Sequence, residues 1–200
     1  NSADGMWTVG NDRGAKVVWD EQSLENGEVS VEMRMVPNRA NIGGLILRVR
    51  EPKVGADNWF GYEISLDAAR QTVFIGDHRN NWAKRAEAAY KVGPGRWHKL
   101  RVVMNGPKFQ LFVDGAKEPQ VEYVDPNPLA GGLVGLRTWG SEIAYRNLMI
   151  LKDGKRTAAD FRPPHIERPV RPTDEQQARH RGLQALCQVV LNLNEFVYAD

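Results

Sequence analysis

Residues 29–35 read Val29-Ser30-Val31-Glu32-Met33-Arg34-Met35, with an apolar side chain at every odd position. Because successive side chains of a β-strand point to opposite faces, this alternation predicts a strand with one buried and one solvent-facing side. Residues 45–50 (Leu45-Ile46-Leu47-Arg48-Val49-Arg50) repeat the pattern at their odd positions. The charged side chains expected to face away from the core are Glu32, Arg34, Arg48 and Arg50.

The same alternation dominates residues 7–151. Turn signals such as Asn105-Gly106-Pro107 and Asp114-Gly115 separate the alternating runs. Because the runs are short and no long helical pattern interrupts them, the sequence predicts an all-β fold of two antiparallel sheets packed face to face. The side chains expected between the sheets include Val31, Met33, Leu45, Leu47, Tyr62, Ile64, Leu100, Val102 and Leu111.

One segment inside this region has a different character. Residues 81–90 (Asn81-Trp82-Ala83-Lys84-Arg85-Ala86-Glu87-Ala88-Ala89-Tyr90) have a helix-forming composition, but Gly93-Pro94-Gly95 follows closely and would stop a helix. We therefore expect a short loop or a one-turn helix here.

Composition limits the partners and chemistry open to the chain. With 27 basic and 25 acidic residues among 200, the net charge is +2, and no run of Lys or Arg could follow a phosphate backbone, so nucleic acid is not expected as a partner. Cys187 is the only cysteine, which excludes an internal disulfide and a thiolate metal cluster. No run of about 18 apolar residues predicts a membrane span. The chain begins without Met, so we expect it to be a fragment of a longer precursor.

The sequence divides into three regions. Residues 1–155 form the predicted sandwich, and residues 156–172 form a predicted linker that its Arg-Pro pairs make stiff. Residues 173–200 are expected to hold a C-terminal helix and tail. Thr173 with Gln176 matches a capping box, and an apolar face continues to about residue 192.

Three segments of the predicted sandwich resemble the concanavalin A-like superfamily. They are Gly43-Gly44-Leu45-Ile46-Leu47-Arg48, Gly95-Arg96-Trp97-His98-Lys99-Leu100-Arg101-Val102 and Gly132-Leu133-Val134-Gly135-Leu136-Arg137-Thr138-Trp139. Within that superfamily the chain is most similar to laminin G-like domains, fructan-binding carbohydrate-binding modules and 3-keto-disaccharide hydrolase-like domains. The resemblance implies a jelly-roll sandwich. It leaves open a sugar-binding module, an enzyme and a protein-interaction module, because fold alone does not define function.

The tail, residues 183–200, is similar to the closing motif of a C-terminal domain in cytochrome-containing surface proteins of planctomycetes. This resemblance implies that the chain belongs to a larger exported protein, located extracellularly, at the cell surface or in the periplasm. Other domains of that protein would then be additional partners.

The leading hypothesis is a non-catalytic module that binds a polysaccharide or oligosaccharide on the outward face of one sheet. Arg48 matches the arginine that follows Gly-Leu-x-x in fructan-binding modules, which implies a role in holding sugar hydroxyls. Alternation places Glu63 and Trp139 outward, and an exposed tryptophan suits the apolar face of a sugar ring. The predicted binding residues are Arg48, Glu63, Trp139, Glu32, Asp67 and Arg137.

Two purely structural explanations compete with the sugar-binding hypothesis. Ordinary surface ion pairs would give the same charged pattern, and Trp139 could pack under a loop at a strand end. Trp59 and Trp82 are secondary candidates for binding, whereas three other tryptophans are expected in the core: Trp7, Trp19 and Trp97.

An enzyme is the second hypothesis, and a laminin G-like interaction module is the third. Retaining glycosidases need two carboxylates about 5 Å apart, and the Glu-x-Asp-x-x-Glu motif that supplies them on this fold is missing. No catalytic residue is therefore assigned, although Glu32, Arg48 and Glu63 leave a hydrolase or lyase open. Glu32 and Glu63 could approach each other across neighbouring strands, with Arg48 between or beside them.

No cofactor is predicted. His78 and His98 show no metal-ligand spacing and are expected on the surface. Structural calcium is possible, because several aspartates could supply oxygen ligands. These are Asp57, Asp67, Asp77 and Asp125. Calcium is not predicted, because no Asp-rich loop specifies a site.

Overall fold

The structure of the chain is a computed structural model. It describes residues 7–9, 14–35, 41–53, 55–93, 95–140 and 142–159, together with residues 179, 182 and 183. The chain divides into two compact units, Asn1–Phe161 and Arg162–Asp200. In the described part of the first unit, every regular element is a strand.

The described residues form thirteen strands. These are β1 (Trp7–Val9), β2 (Ala15–Leu24), β3 (Gly27–Met35), β4 (Ile42–Arg50), β5 (Phe60–Asp67), β6 (Thr72–Arg79), β7 (Trp82–Ala89), β8 (Trp97–Asn105), β9 (Lys108–Val113), β10 (Val121–Val124), β11 (Gly132–Trp139), β12 (Ile143–Lys152) and β13 (Lys155–Ala158).

The strands build two antiparallel sheets. The larger sheet has seven strands in the order β1-β12-β3-β8-β9-β10, with β13 also paired to β12. The smaller sheet has six strands in the order β2-β11-β4-β5-β6-β7. The predicted all-β sandwich is therefore confirmed, and consecutive strands such as β3 and β4 lie in different sheets.

The core lies between the two sheets, as the alternation predicts. Apolar side chains from both sheets form one continuous cluster. Every residue predicted for this core is buried: Val31, Met33, Leu45, Leu47, Tyr62, Ile64, Leu100, Val102 and Leu111. The predicted turn at Gly106 joins β8 to β9, and the residue adopts φ +54°, which glycine tolerates well.

The prediction for residues 81–90 was wrong. The segment forms β7, an edge strand that pairs antiparallel with β6. Ala86 and Ala88 pack against the core, so tertiary pairing overrides the helix-forming composition.

Most of the C-terminal region lies outside the described residues. Only residues 179, 182 and 183 of the predicted helix are described, and they are helical. The predicted linker from residue 160 onward and nearly all of the tail that resembles planctomycete surface proteins also lie outside them. No helix among the described residues is long and apolar enough to cross a membrane.

Candidate functional site

A cavity of about 230 Å³ lies on the face of the smaller sheet that points away from the core. Its side chains come from five strands of that sheet and from the two loops that flank β5. They combine charged groups with large apolar groups in one place. The lining residues are Ile42, Asp57, Glu63, Arg70, Phe74, Trp82, Arg137 and Trp139.

The charged centre of the cavity is Glu63 of β5, whose side chain is only 1% exposed. Ser65 donates a hydrogen bond to Glu63 Oε1 at 3.0 Å, and His78 Nε2 donates to Oε2 at 2.9 Å. Arg137 Nη1 forms an ion pair with the same Oε2. Burial alone would raise the pKa of the Glu63 carboxyl, but the His78 hydrogen bond and the Arg137 charge outweigh it and lower that pKa. Glu63 is therefore an ionised group held in one position.

Strand pairing explains why these side chains meet. Glu63 on β5 lies opposite Gly76 on β6, and Arg137 on β11 lies opposite Gly44 on β4. A Cβ atom at position 76 would lie 3.1 Å from the indole nitrogen of Trp82, so the missing side chain lets that ring lie over the sheet. Gly76 therefore leaves the space into which the Trp82 ring extends.

The loop between β4 and β5 covers one side of the cavity. Trp59 is buried against a small apolar cluster with Ile46 and Val49, and its ring stacks on His78 at a centroid distance of 4.0 Å. Its indole nitrogen donates to the carbonyl of Ala56 at 3.0 Å. The loop is thus fastened to the outward face of the sheet.

This loop brings Asp57 to the cavity. Asp57 Oδ1 lies 3.3 Å from Arg137 Nη2 and 3.3 Å from His78 Nδ1. The contact between Asp57 and His78 is not a hydrogen bond, since His78 Nδ1 forms none with the described residues. At 39% exposure, the Asp57 side chain is the accessible carboxylate of the site.

The opposite wall is apolar. Phe74 and Trp82 meet edge to face at a centroid distance of 6.1 Å, and Trp82 is 36% exposed. Trp139 lies beside Arg137, whose guanidinium carbon is 5.7 Å from the indole ring. The cavity therefore presents aromatic surface next to charged hydrogen-bonding groups.

Comparison with protein families gives a match over this region. The family model of the 3-keto-alpha-glucoside-1,2-lyase-like domain matches residues 1–151. The chain belongs to this family. No functionally curated protein matches the sequence of this lyase-like domain.

Solved structures with the same fold include three bacterial proteins. The carbohydrate binding module CBM66 from Bacillus subtilis is 17% identical over 72% of this chain and 93% of its own, with a TM-score of 0.61. A protein of unknown function with a galectin-like fold from Bacillus subtilis is 12% identical over 72% of this chain and 88% of its own (TM-score 0.56). A putative glycosyl hydrolase from Parabacteroides distasonis is 12% identical over 74% of this chain and 80% of its own (TM-score 0.53). At these identities the likeness establishes the jelly-roll fold alone.

Three of the predicted binding residues meet in the cavity of the lyase-like domain: Glu63, Arg137 and Trp139. The other three lie elsewhere. Their placement corrects the expectation of one common site, while a sugar-binding role for the three that meet stays a prediction.

Arg48 was expected to face outward, but it is 1% exposed. It has φ +51° at an irregularity in the pairing of β4 with β5, and this bulge breaks the alternation. Its guanidinium lies near the core rings of Tyr62 and Phe109, one from each sheet. It donates hydrogen bonds to three backbone carbonyls, at 2.6–3.0 Å: Glu25, Gly106 and Leu129.

Glu32 and Asp67 are separated from the cavity for different reasons. Glu32 is on β3 of the larger sheet, where it accepts a hydrogen bond from Arg146 Nε at 2.7 Å, so it cannot approach Glu63. Asp67 ends β5, and its carboxylate accepts hydrogen bonds from the backbone of Ala69 and Arg70. Asp67 thereby supports the turn that presents Arg70.

Both histidines expected on the surface are buried. His78 supports Glu63, whereas His98 bonds to Asp114 at 3.0 Å and accepts a hydrogen bond from the Gly93 amide at 3.0 Å. Alternation along β6 could have placed His78 on the outward face with Phe74. Only the register between β5 and β6 shows that it reaches Glu63.

Trp97 lies on the outward face of the larger sheet between arginines, so the prediction that it belongs to the core was wrong.

The four aspartates considered for calcium do not form a cluster of metal ligands among the described residues. Asp77 binds Arg79 and Arg85, and Asp125 binds Tyr62 and Arg79.

Proposed function

We propose that the lyase-like domain binds a single sugar unit of a polysaccharide or oligosaccharide in the cavity around Glu63. One observation carries this proposal: a fixed carboxylate–guanidinium pair and two tryptophans line the same cavity. A volume of about 230 Å³ is below the roughly 300 Å³ at which pockets for drug-sized ligands begin, which favours one monosaccharide.

The two sides of the cavity suit the two surfaces of a sugar ring. The C–H face of a pyranose can pack against Trp82 or Trp139, as apolar groups pack on aromatic rings. The ring hydroxyls can donate to Asp57 and accept from Arg137. Glu63 is buried and already has three partners, so we assign it a positioning role toward Arg137 and His78.

Titration calorimetry with levan, inulin, β-glucan and dextran tests the proposal. We expect at least one glycan to bind, and we expect Trp139→Ala and Asp57→Asn each to weaken that binding about tenfold or more. Trp97→Ala is the matched control, because Trp97 lies on the opposite sheet. Unchanged affinity in both cavity variants would place the site elsewhere, and binding of no glycan would favour a protein-interaction module.

A second candidate function is lyase activity on a 3-keto-α-glucoside, which the family match and the accessible Asp57 carboxylate favour. The 3-keto group acidifies the proton on C2. Asp57 could remove this proton while the C1–C2 double bond forms and the C1–O bond breaks. The leaving oxygen then takes a proton from the Asp57 carboxylic acid or from water, so that a free alcohol and a 1,2-unsaturated 3-keto sugar are released and the Asp57 carboxylate is restored. Release of that alcohol from a 3-keto-α-glucoside would demonstrate the activity, and Asp57→Asn is expected to lower its rate by about two orders of magnitude or more.

We further propose that the domain is a module of a larger exported protein and acts extracellularly, at the cell surface or in the periplasm. The resemblance to polysaccharide-binding families supports this location. Detection of the parent protein in the cytoplasmic fraction alone would contradict it.

A further inference from the structure

The outward face of the larger sheet carries an excess of positive charge. Neighbouring strands β3, β8, β12 and β13 place five cations and two carboxylates on one connected surface, which we call the basic face. It consists of Arg34, Lys99, Arg101, Arg146, Arg156, Glu28 and Glu32.

Aromatic rings and ion pairs hold part of this face rigid. The guanidinium carbons of Arg34 and Arg146 lie 4.9 Å and 4.0 Å from the ring of Trp97. Arg101 lies 3.7 Å from the ring of Phe112. The two carboxylates are already engaged, because Glu32 bonds to Arg146 at 2.7 Å and Glu28 bonds to Arg101 at 3.0 Å. Lys99 lies opposite Glu32 on the neighbouring strand, but five cations against two carboxylates leave the basic face with a net positive charge.

A small cavity lies within the basic face. Its volume is about 90 Å³, roughly three times the 30 Å³ that a water molecule occupies in the liquid. The exposed side chains of Lys99 and Arg156 stand at its rim, with Ser30 and the apolar Met149 beside them. Glu28 also lines the cavity, but its carboxylate is paired with Arg101 at 3.0 Å. Within the part of the chain that the structure describes, neither cation forms an ion pair. The cavity thus combines two available cations with room for one small anionic group.

We propose that the basic face binds an anionic glycan, with one carboxylate or sulfate group held between Lys99 and Arg156. This site is separate from the cavity around Glu63 and does not depend on the function proposed for it. Exposed cations attract such a polymer over a distance of about 8 Å at physiological ionic strength. Stacked arginines add hydrogen-bond donors that are already ordered before binding.

A glycan fits this face better than an acidic protein does. Protein interfaces generally have an apolar centre with aromatic anchors. The exposed large hydrophobic residues among those described lie outside the basic face: Trp82, Val124 and Leu183. Phe112 is buried beneath Arg101, and the other large apolar residues of this face, Trp97, Met149 and Leu151, are only partly exposed.

Affinity electrophoresis and titration calorimetry with dextran sulfate, polygalacturonate and neutral dextran test this inference. We expect the full chain to bind at least one anionic polymer but not dextran through this face, and to bind it less tightly as salt increases. The double variant Lys99→Ala/Arg156→Ala should bind about tenfold more weakly. The control Lys91→Ala/Lys117→Ala removes the same charge from exposed turns and should bind like the wild type. The sulfated and carboxylated polymers distinguish the two sources of anionic groups.

Three outcomes would overturn the proposal. Equal losses in both double variants would mean that only net charge matters. Equally tight binding of poly-glutamate, with the same loss on substitution, would identify a general acidic-protein surface. Loss of anionic binding in Trp139→Ala but not in the Lys99/Arg156 variant would transfer the ligand to the other cavity, whereas failure of neutral-sugar binding alone would leave this inference intact.

Discussion

At Arg48 one backbone angle decides whether the side chain points to solvent or to the core. Its neighbours in sequence match a sugar-binding pattern, yet φ +51° turns the side chain inward, and four hydrogen bonds join it to the carbonyls of three separate segments. No carboxylate lies within ion-pair distance of it among the described residues. Burial lowers the pKa of its guanidinium, but the carbonyl dipoles take the place of water. Arg48 is thus a structural residue.

Substitution of Arg48 should therefore affect stability. Arg48→Ala leaves three carbonyls without their donor, and because hydrogen bonds to a charged group contribute about 1.5–3 kcal/mol each, we expect a loss of at least about 3 kcal/mol in the free energy of unfolding. Urea denaturation measures this loss. Arg50→Ala is the control, since Arg50 is exposed and only two residues away. Equal stability of the two variants would contradict a structural role for Arg48.

Strand β7 contains a charge spacing that is typical of a helix. Lys84 and Glu87 form an ion pair at 2.6 Å with a spacing of three residues, which is typical of a helix. In a regular strand such residues face opposite sides. Here the register shifts between Ile75 and Gly76 of β6, so that an extra residue of β7 brings both side chains to the same face.

The two faces of β7 should respond differently to charge. Ala88 packs against the core, whereas Ala89 is exposed. Ala88→Asp should lower the free energy of unfolding by about 1–3 kcal/mol, because the carboxylate would enter an apolar environment. Ala89→Asp should change it by less than about 0.5 kcal/mol. Similar losses in both variants would contradict the strand orientation.

Alternation predicted the elements well and their exceptions poorly. It placed Val31, Ile64 and Leu100 correctly, because the apolar residues of a strand that is buried on one face recur at every second position. It failed at Arg48, where a bulge interrupts the period. It also could not bring His78 to Glu63, since that contact depends on the register of two strands and on a loop that covers them. The site was therefore predictable in part, through Glu63, Arg137 and Trp139.

At the scale of the molecule, carboxylates hold different elements together. Glu63 links β5, β6 and β11, Asp125 links the loop after β10 to Tyr62 and Arg79, and Asp114 binds His98 and the Lys99 amide. Burial opposes ionisation of each group, but the surrounding donors outweigh it and lower all three pKa values. Each carboxylate therefore binds protons less readily in the folded protein than in the unfolded chain.

The stability of the domain should accordingly fall in acid. The stabilisation from these groups is fully present above their unfolded pKa values of about 4 and is lost as pH falls through their lower folded values. We expect the melting temperature to be nearly constant from about pH 6 to 5 and to decrease below about pH 4. Glu63→Gln should show a shallower decrease than the wild type in calorimetric scans. An identical acid profile would exclude Glu63 as a contributor.

The loop that carries Asp57 also has a consequence for evolution. The loop lies between the paired residues Arg50 and Phe60, and the ring of Trp59 packs on the outward face of the smaller sheet. Insertions or replacements within it would leave the register of the sandwich unchanged, since lengthening a surface loop costs little free energy. Under the proposed sugar-binding function, ligand preference can therefore diversify in descendants of this gene through one short segment, while the residues that determine the sandwich fold are kept.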